Sequence, residues 1–123
     1  MKNSTASAPE RMTADEFIAW AIEQPKRPRY ELVEGELVMI APERAAHARV
    51  KAAIWRALDD ALRAARLPCE AYPDGMAVKV DDSVVYEPDA LVRCGEPLLD
   101  DEVKITDPII VVEVLSPRTR HGR

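Results

Sequence analysis

The sequence has no apolar run approaching the ~20 residues that a membrane-crossing helix needs. No membrane partner is expected. The opening stretch, MKNSTASAPERM, lacks the apolar region of a secretory signal, so residues 1–12 read as a disordered leader. Cysteine is scarce. Cys69 and Cys94 follow neither a metal-binding spacing nor a disulfide framework, and two free thiols in a reducing cytoplasm are expected. Positive charge is not in excess: 17 Lys and Arg stand against 22 Asp and Glu, a net charge of -5. That excludes a uniformly basic nucleic-acid coat protein. It does not exclude a nuclease, because a local basic surface can coexist with a carboxylate-rich site. Internal repeats and low-complexity tracts are missing as well.

What is present is a chain of 123 residues, 47% hydrophobic and 32% charged. This suits one soluble globular domain, over 13–123, and is too short for two with separate cores. Charge is placed unevenly. Residues 42–69 carry six bases and three acids, whereas residues 70–113 carry twelve acids and three bases. The last ten residues hold three bases and no acid. An acidic middle therefore lies between two basic segments.

Thr13 to Gln24 reads as a helix. Thr13 can cap it, Glu16 has the capping-box spacing, and Pro25 and Pro28 stop it. In YELVEGELVMI, residues 30–40, two β-prone runs flank Glu34-Gly35, the signature of a tight hairpin. Residues 44–66 have the strongest helical pattern, with Val50, Ile54, Ala57, Leu58, Ala61 and Leu62 as an apolar stripe. Arg49, Arg56, Arg63 and Arg66 lie along the polar side with Lys51 nearby. They make either a solvated face or a phosphate-tracking surface. Beyond Pro68 the period changes to two, with strands at Cys69–Tyr72, Met76–Val80 and Val84–Val92. Ile109–Leu115, IIVVEVL, reads as a central strand buried on both faces. Ser116-Pro117 then opens a helix.

Glu113 interrupts that apolar run, and a carboxylate there is costly to bury without a partner. It can bind a metal, pair with an arginine, or face solvent at an open strand end. Asp89 follows Pro88 at the start of another β-run, Ala90-Leu91-Val92. Two carboxylates meeting at one end of a sheet, completed by water and a phosphate, form the ligand set that Mg²⁺ prefers. A lone Pro-Asp is more often a turn; the embedded glutamate two dozen residues later makes the pair more specific.

YELVEGEL (30–37), His47 at the head of the long helix, EPDALV (87–92) and IIVVEVLSPRT (109–119) together resemble the Uma-type restriction endonucleases. That family is placed in the PD-(D/E)XK nuclease superfamily. The resemblance implies an α/β (α+β) fold, a restriction-endonuclease-like mixed β-sheet flanked by helices, with an added N-terminal helix and β-hairpin. It implies Mg²⁺-dependent hydrolysis of DNA phosphodiester bonds, with Mn²⁺ as a substitute and no small-molecule cofactor. Asp89 and Glu113 would be the metal ligands. Glu31 and His47 match positions that recur near the family's site, as a further acidic or orienting group and as a phosphate contact, helix cap or structural residue.

Two departures accompany the resemblance. Leu115 stands where the superfamily motif has lysine, and strand residues two apart share a face, so the motif's cation is missing there. The helix after Ser116-Pro117 is cut short, leaving Arg118 and Arg120 as the nearest cations in sequence. The chain thus reads as lacking the family's C-terminal part. Its strand at 109–115 would then expose apolar surface, and a homodimer is expected. The alternative function is a catalytically inactive nuclease-fold domain that binds nucleic acid or protein.

Overall fold

The computed structural model describes residues 11–26 and 28–115. They form two compact units, each with its own β-sheet.

The first unit takes in residues up to 42 together with 76–87 and 99–107. Its helix α1, Ala14–Ile22, starts as the sequence predicts. The Thr13 hydroxyl accepts the Glu16 amide at 3.1 Å, and the Glu16 carboxylate accepts the Thr13 amide at 2.9 Å. Two otherwise unmatched helix-end donors are thereby satisfied. Strands β1 (Arg29–Val33) and β2 (Glu36–Ile40) form the expected hairpin. Glu34 and Gly35 both take positive φ, 51° and 82°, the backbone that a two-residue turn of matching twist requires. Strands β3 (Cys69–Pro73) and β6 (Ala90–Cys94) belong to the second unit; β4 (Ala77–Asp81), β5 (Val84–Tyr86) and β7 (Lys104–Ile105) complete the first. The sheet order is β2-β1-β5-β4-β7. It is mixed, because β7 runs parallel to β4 while the other pairs are antiparallel. Its core is Met12, Ala14, Phe17, Leu32 and Val85, with Trp20 and Tyr30 packed against it. Leu32 is fully buried, a contribution of about 1.5–3 kcal/mol.

The second unit comprises residues 43–75, 88–98 and those from 108 onward. Helix α2 spans Ala45–Ala65 and packs on β3 and β6. It ends where Arg66 turns left-handed, with the Leu67 amide reaching back to the Leu62 carbonyl. Strand β8 is Ile110–Val112, and the order β3-β6-β8 is antiparallel throughout. The Trp55 indole donates to the Ala71 carbonyl at 2.9 Å and pins α2 to β3.

Three expectations are corrected here. The strand buried on both faces is β6, whose Ala90, Leu91 and Val92 are at most 1% exposed. Among the described residues, the run Ile109–Leu115 pairs over three residues only, at the sheet edge, with Ile110 41% and Val111 50% exposed. Apolarity alone does not distinguish them; β6 has neighbours on both edges and α2 on one face. Val84–Val92 is not one strand. Pro88 has no amide to donate, and the run splits into β5 and β6, which join different sheets. Cys69 and Cys94 are not free thiols: the β3–β6 register sets them directly opposite and they form a disulfide. The helix expected from Ser116-Pro117, with Arg118 and Arg120, lies outside the described residues.

Candidate active site

The candidate site is built within the second unit around Asp89, the residue immediately before β6. Its own amide donates to the Val112 carbonyl at 3.0 Å, which ties the start of β6 to the end of β8. The Asp89 side chain is 13% exposed, so its charge requires partners. It has three nearby. The Val114 amide donates to Oδ2 at 2.6 Å. His47 Nε2 lies 3.3 Å from the same oxygen. Toward an ionised carboxylate, which only accepts, the imidazole nitrogen is the donor of such a contact. Lys51 Nζ stands 4.0 Å from Oδ1.

His47 and Lys51 reach this point because they are four residues apart on α2 and share a face. His47, Lys51, Ile54, Trp55, Leu58 and Leu62 are among the half-buried positions of α2, while Arg49, Arg56, Arg63 and Arg66 are exposed. Lys51 therefore belongs to the sheltered face, not to the arginine side with which its charge groups it. Its ammonium pairs with Asp74 at 2.7 Å and with Glu43 at 2.8 Å. Burial draws the Lys51 pKa down, but the hydrogen bonds and charges of Asp74 and Glu43 outweigh it and hold the pKa above the ordinary lysine value. His47 does not cap α2; the cap position is Arg44, which makes no side-chain capping bond.

Of the four residues singled out in the sequence, Asp89 and His47 are in contact. Glu113 stands just past the end of β8, exposed, between Val112 and Val114, whose backbone groups hold Asp89. It and Asp89 are thus at the same end of the β6–β8 pair. Glu31 sits on β1 of the first unit, where its carboxylate accepts the Glu87 amide at 2.9 Å. Lys51, Asp74 and Glu43 carry no motif. The one sequence signal for Lys51 is its four-residue step from His47. Asp74 reads as plain turn chemistry in Pro73-Asp74-Gly75.

A family model described as "Putative restriction endonuclease", Uma2, matches residues 14–123. The chain belongs to the Uma2 family. Its backbone is also similar to a crystal structure described as a putative nuclease belonging to DUF820 from Anabaena variabilis ATCC 29413. The TM-score is 0.69 at 18% identity, over 90% of this chain and 63% of that one. The Uma2 chain thus spans less than two thirds of that neighbour's length, and the likeness is one of fold: a restriction-endonuclease-like mixture of helices and sheets. Nothing among curated proteins matches. No helix among the described residues is long and apolar enough to cross a membrane.

Nuclease folds of this kind generally use divalent metal ions. Among the described residues of this Uma2 chain, no three His, Cys, Asp or Glu side chains are grouped to cage one. An all-protein cage is not what Mg²⁺ needs: it keeps several waters and is held through one or two carboxylates together with substrate phosphate. A preset, sheltered Asp89 with Glu113 at the same sheet end fits that modest donor set.

Proposed function

We propose that this Uma2 chain is a metal-dependent endonuclease domain that hydrolyses DNA phosphodiester bonds. Asp89 and Glu113 would hold Mg²⁺ or Mn²⁺. When bound, the ion would polarise the scissile phosphate and lower the pKa of an attacking water. The chain's own part is positional. The Val114 amide and His47 fix the Asp89 carboxylate in one orientation before any substrate arrives, so no rearrangement is needed on binding. The exposed arginines of α2, Arg49 and Arg56 among them, offer a basic surface for a phosphate backbone. The observation that carries the reading is the sheltered Asp89 carboxylate, held by a backbone amide and an imidazole at the end of a buried strand.

Plasmid nicking with Mg²⁺ or Mn²⁺ tests it. Cleavage is expected from the wild type, with a loss of 100-fold or more, on the order expected for removing a metal ligand, in Asp89→Asn and Glu113→Gln. Folded wild-type protein that cleaves with neither metal would defeat the reading.

A second reading is favoured by Leu115, which is 89% exposed where the motif has its lysine. The fold is then retained for binding without turnover. It predicts salt-dependent DNA binding that chelation of divalent ions leaves intact. We also propose that the apolar edge of β8 supports pairing with a second copy of the chain, since unpaired strand edges seek partners. Sedimentation that gives a monomer at all concentrations would refute that pairing.

A further inference from the structure

A cavity of about 390 Å³ lies within the second unit, between the C-terminal half of α2 and β3. Its volume falls in the range of small-molecule sites, about 300–1,000 Å³. Trp55, Leu62, Leu67 and Tyr72 give it apolar walls, and Arg63 and Arg66 line it beside Asp59 and Glu70. Both aromatic side chains are half-buried, and neither packs on another aromatic ring among the described residues. Each is fixed by its polar end: the Trp55 indole donates to the Ala71 carbonyl at 2.9 Å, and the Tyr72 hydroxyl to Glu70 Oε1 at 2.5 Å. Rings held in place before a ligand arrives lower the ordering cost of binding.

The lining charges balance, two arginines against two carboxylates, and Asp59 holds Arg63 at 2.9 Å. A track for phosphates would carry an excess of cations. A neutral groove with two aromatic side chains suits the planar face of a nucleobase instead. Arg66 remains for a flanking phosphate. It is exposed and has no ion pair among the described residues. Its backbone is left-handed, φ 54°, a conformation that glycine takes without strain. The groove also continues the candidate site. Trp55 follows His47 by eight residues on α2, about 12 Å along the helix axis. At about 3.4 Å per nucleotide of stacked strand, that is roughly three or four nucleotides from Asp89. A base at that distance inside a duplex shows only its edges, so only an unpaired base can enter.

We propose that the groove between α2 and β3 holds an unpaired nucleobase of a DNA strand whose scissile phosphate lies at Asp89, so that the substrate carries a single-stranded segment there. Trp55 and Tyr72 receive the base, and Arg66 meets the neighbouring phosphate. This assignment of substrate rests on the nuclease reading above.

The test is equilibrium binding of short labelled oligonucleotides of one mixed sequence, as single-stranded DNA, duplex DNA and single-stranded RNA, in EDTA so that no cleavage occurs. Wild type should bind the single-stranded DNA about tenfold more tightly than the duplex, the order expected for one base stacked on aromatic side chains. Tyr72→Leu should lose about tenfold, whereas Tyr72→Phe keeps the ring and should retain most of the binding. Arg66→Gly should lose several-fold. Its urea midpoint should not fall below that of wild type, because glycine accepts the left-handed backbone. Duplex bound as tightly as single strand, or Tyr72→Leu and Arg66→Gly both binding like wild type, overturns the groove and leaves the nuclease reading standing. Tighter binding of the RNA overturns the assignment to DNA. Wild type that shows the ring-dependent binding but nicks no plasmid with either metal defeats the nuclease reading, and the groove's place in substrate choice falls with it.

Discussion

The Asp89 carboxylate and the Val114 amide meet at 2.6 Å, and this bond joins the head of a buried strand to the tail of an edge strand. It makes Asp89 part of the fold as well as the centre of the candidate site. Asp89→Ala should therefore destabilise the protein by about 1–3 kcal/mol, because it leaves the part-buried Val114 amide without its acceptor. Asp89→Asn keeps an oxygen for the amide and should cost less. Urea unfolding midpoints on the two variants check the order.

Trp55 is the hydrogen-bonded anchor of α2 on β3. Trp55→Phe keeps most of the apolar contact and removes the indole donor, leaving the Ala71 carbonyl without it. A loss of about 1 kcal/mol is expected. Chemical denaturation measures it, and an unchanged midpoint would show that the bond contributes nothing.

Tyr72 should titrate far from ordinary phenol. Burial and then the hydrogen bond and charge of Glu70, whose Oε1 accepts the hydroxyl at 2.5 Å, push its pKa up to about 12. The unfolded value is about 10. Since the folded value is the higher, the folded state favours the neutral phenol. That contribution is complete below about pH 10 and is lost as the pH rises toward the folded pKa. A phenolate absorbance titration should show a late component that Tyr72→Phe abolishes and Glu70→Gln moves to lower pH.

The Cys69–Cys94 pair closes a loop with a sequence separation of 25. Serine at either position should lower stability by about 2–4 kcal/mol. Thiol titration of the unfolded protein should find no reactive cysteine before reduction and both afterwards. Reactive thiols before reduction would contradict the pairing.

Local chemistry was legible wherever neighbours along the chain decide the outcome. The Thr13–Glu16 box, the Glu34-Gly35 turn and the long amphipathic α2 all depend on residues within a few positions of one another. Asp89 could be named as a candidate because Pro-Asp before an apolar run, with a glutamate inside a later one, is a more specific pattern than either alone. Lys51 was not, since a lysine among arginines on a helix looks solvated until the sheet it faces is known.

By itself, the sequence determined α1, α2, the hairpin and the family, and it nominated the two acidic residues at the centre of the proposal, because periodicity, turn geometry and motif spacing act over short stretches of chain. Only the tertiary structure decided which apolar run is buried, that Cys69 and Cys94 are bonded, and that Asp74 and Glu43 pair with the Lys51 ammonium beside Asp89. Those outcomes depend on strand order and register, which bring together groups far apart in sequence, and burial and charge pairing follow from what finally stands opposite.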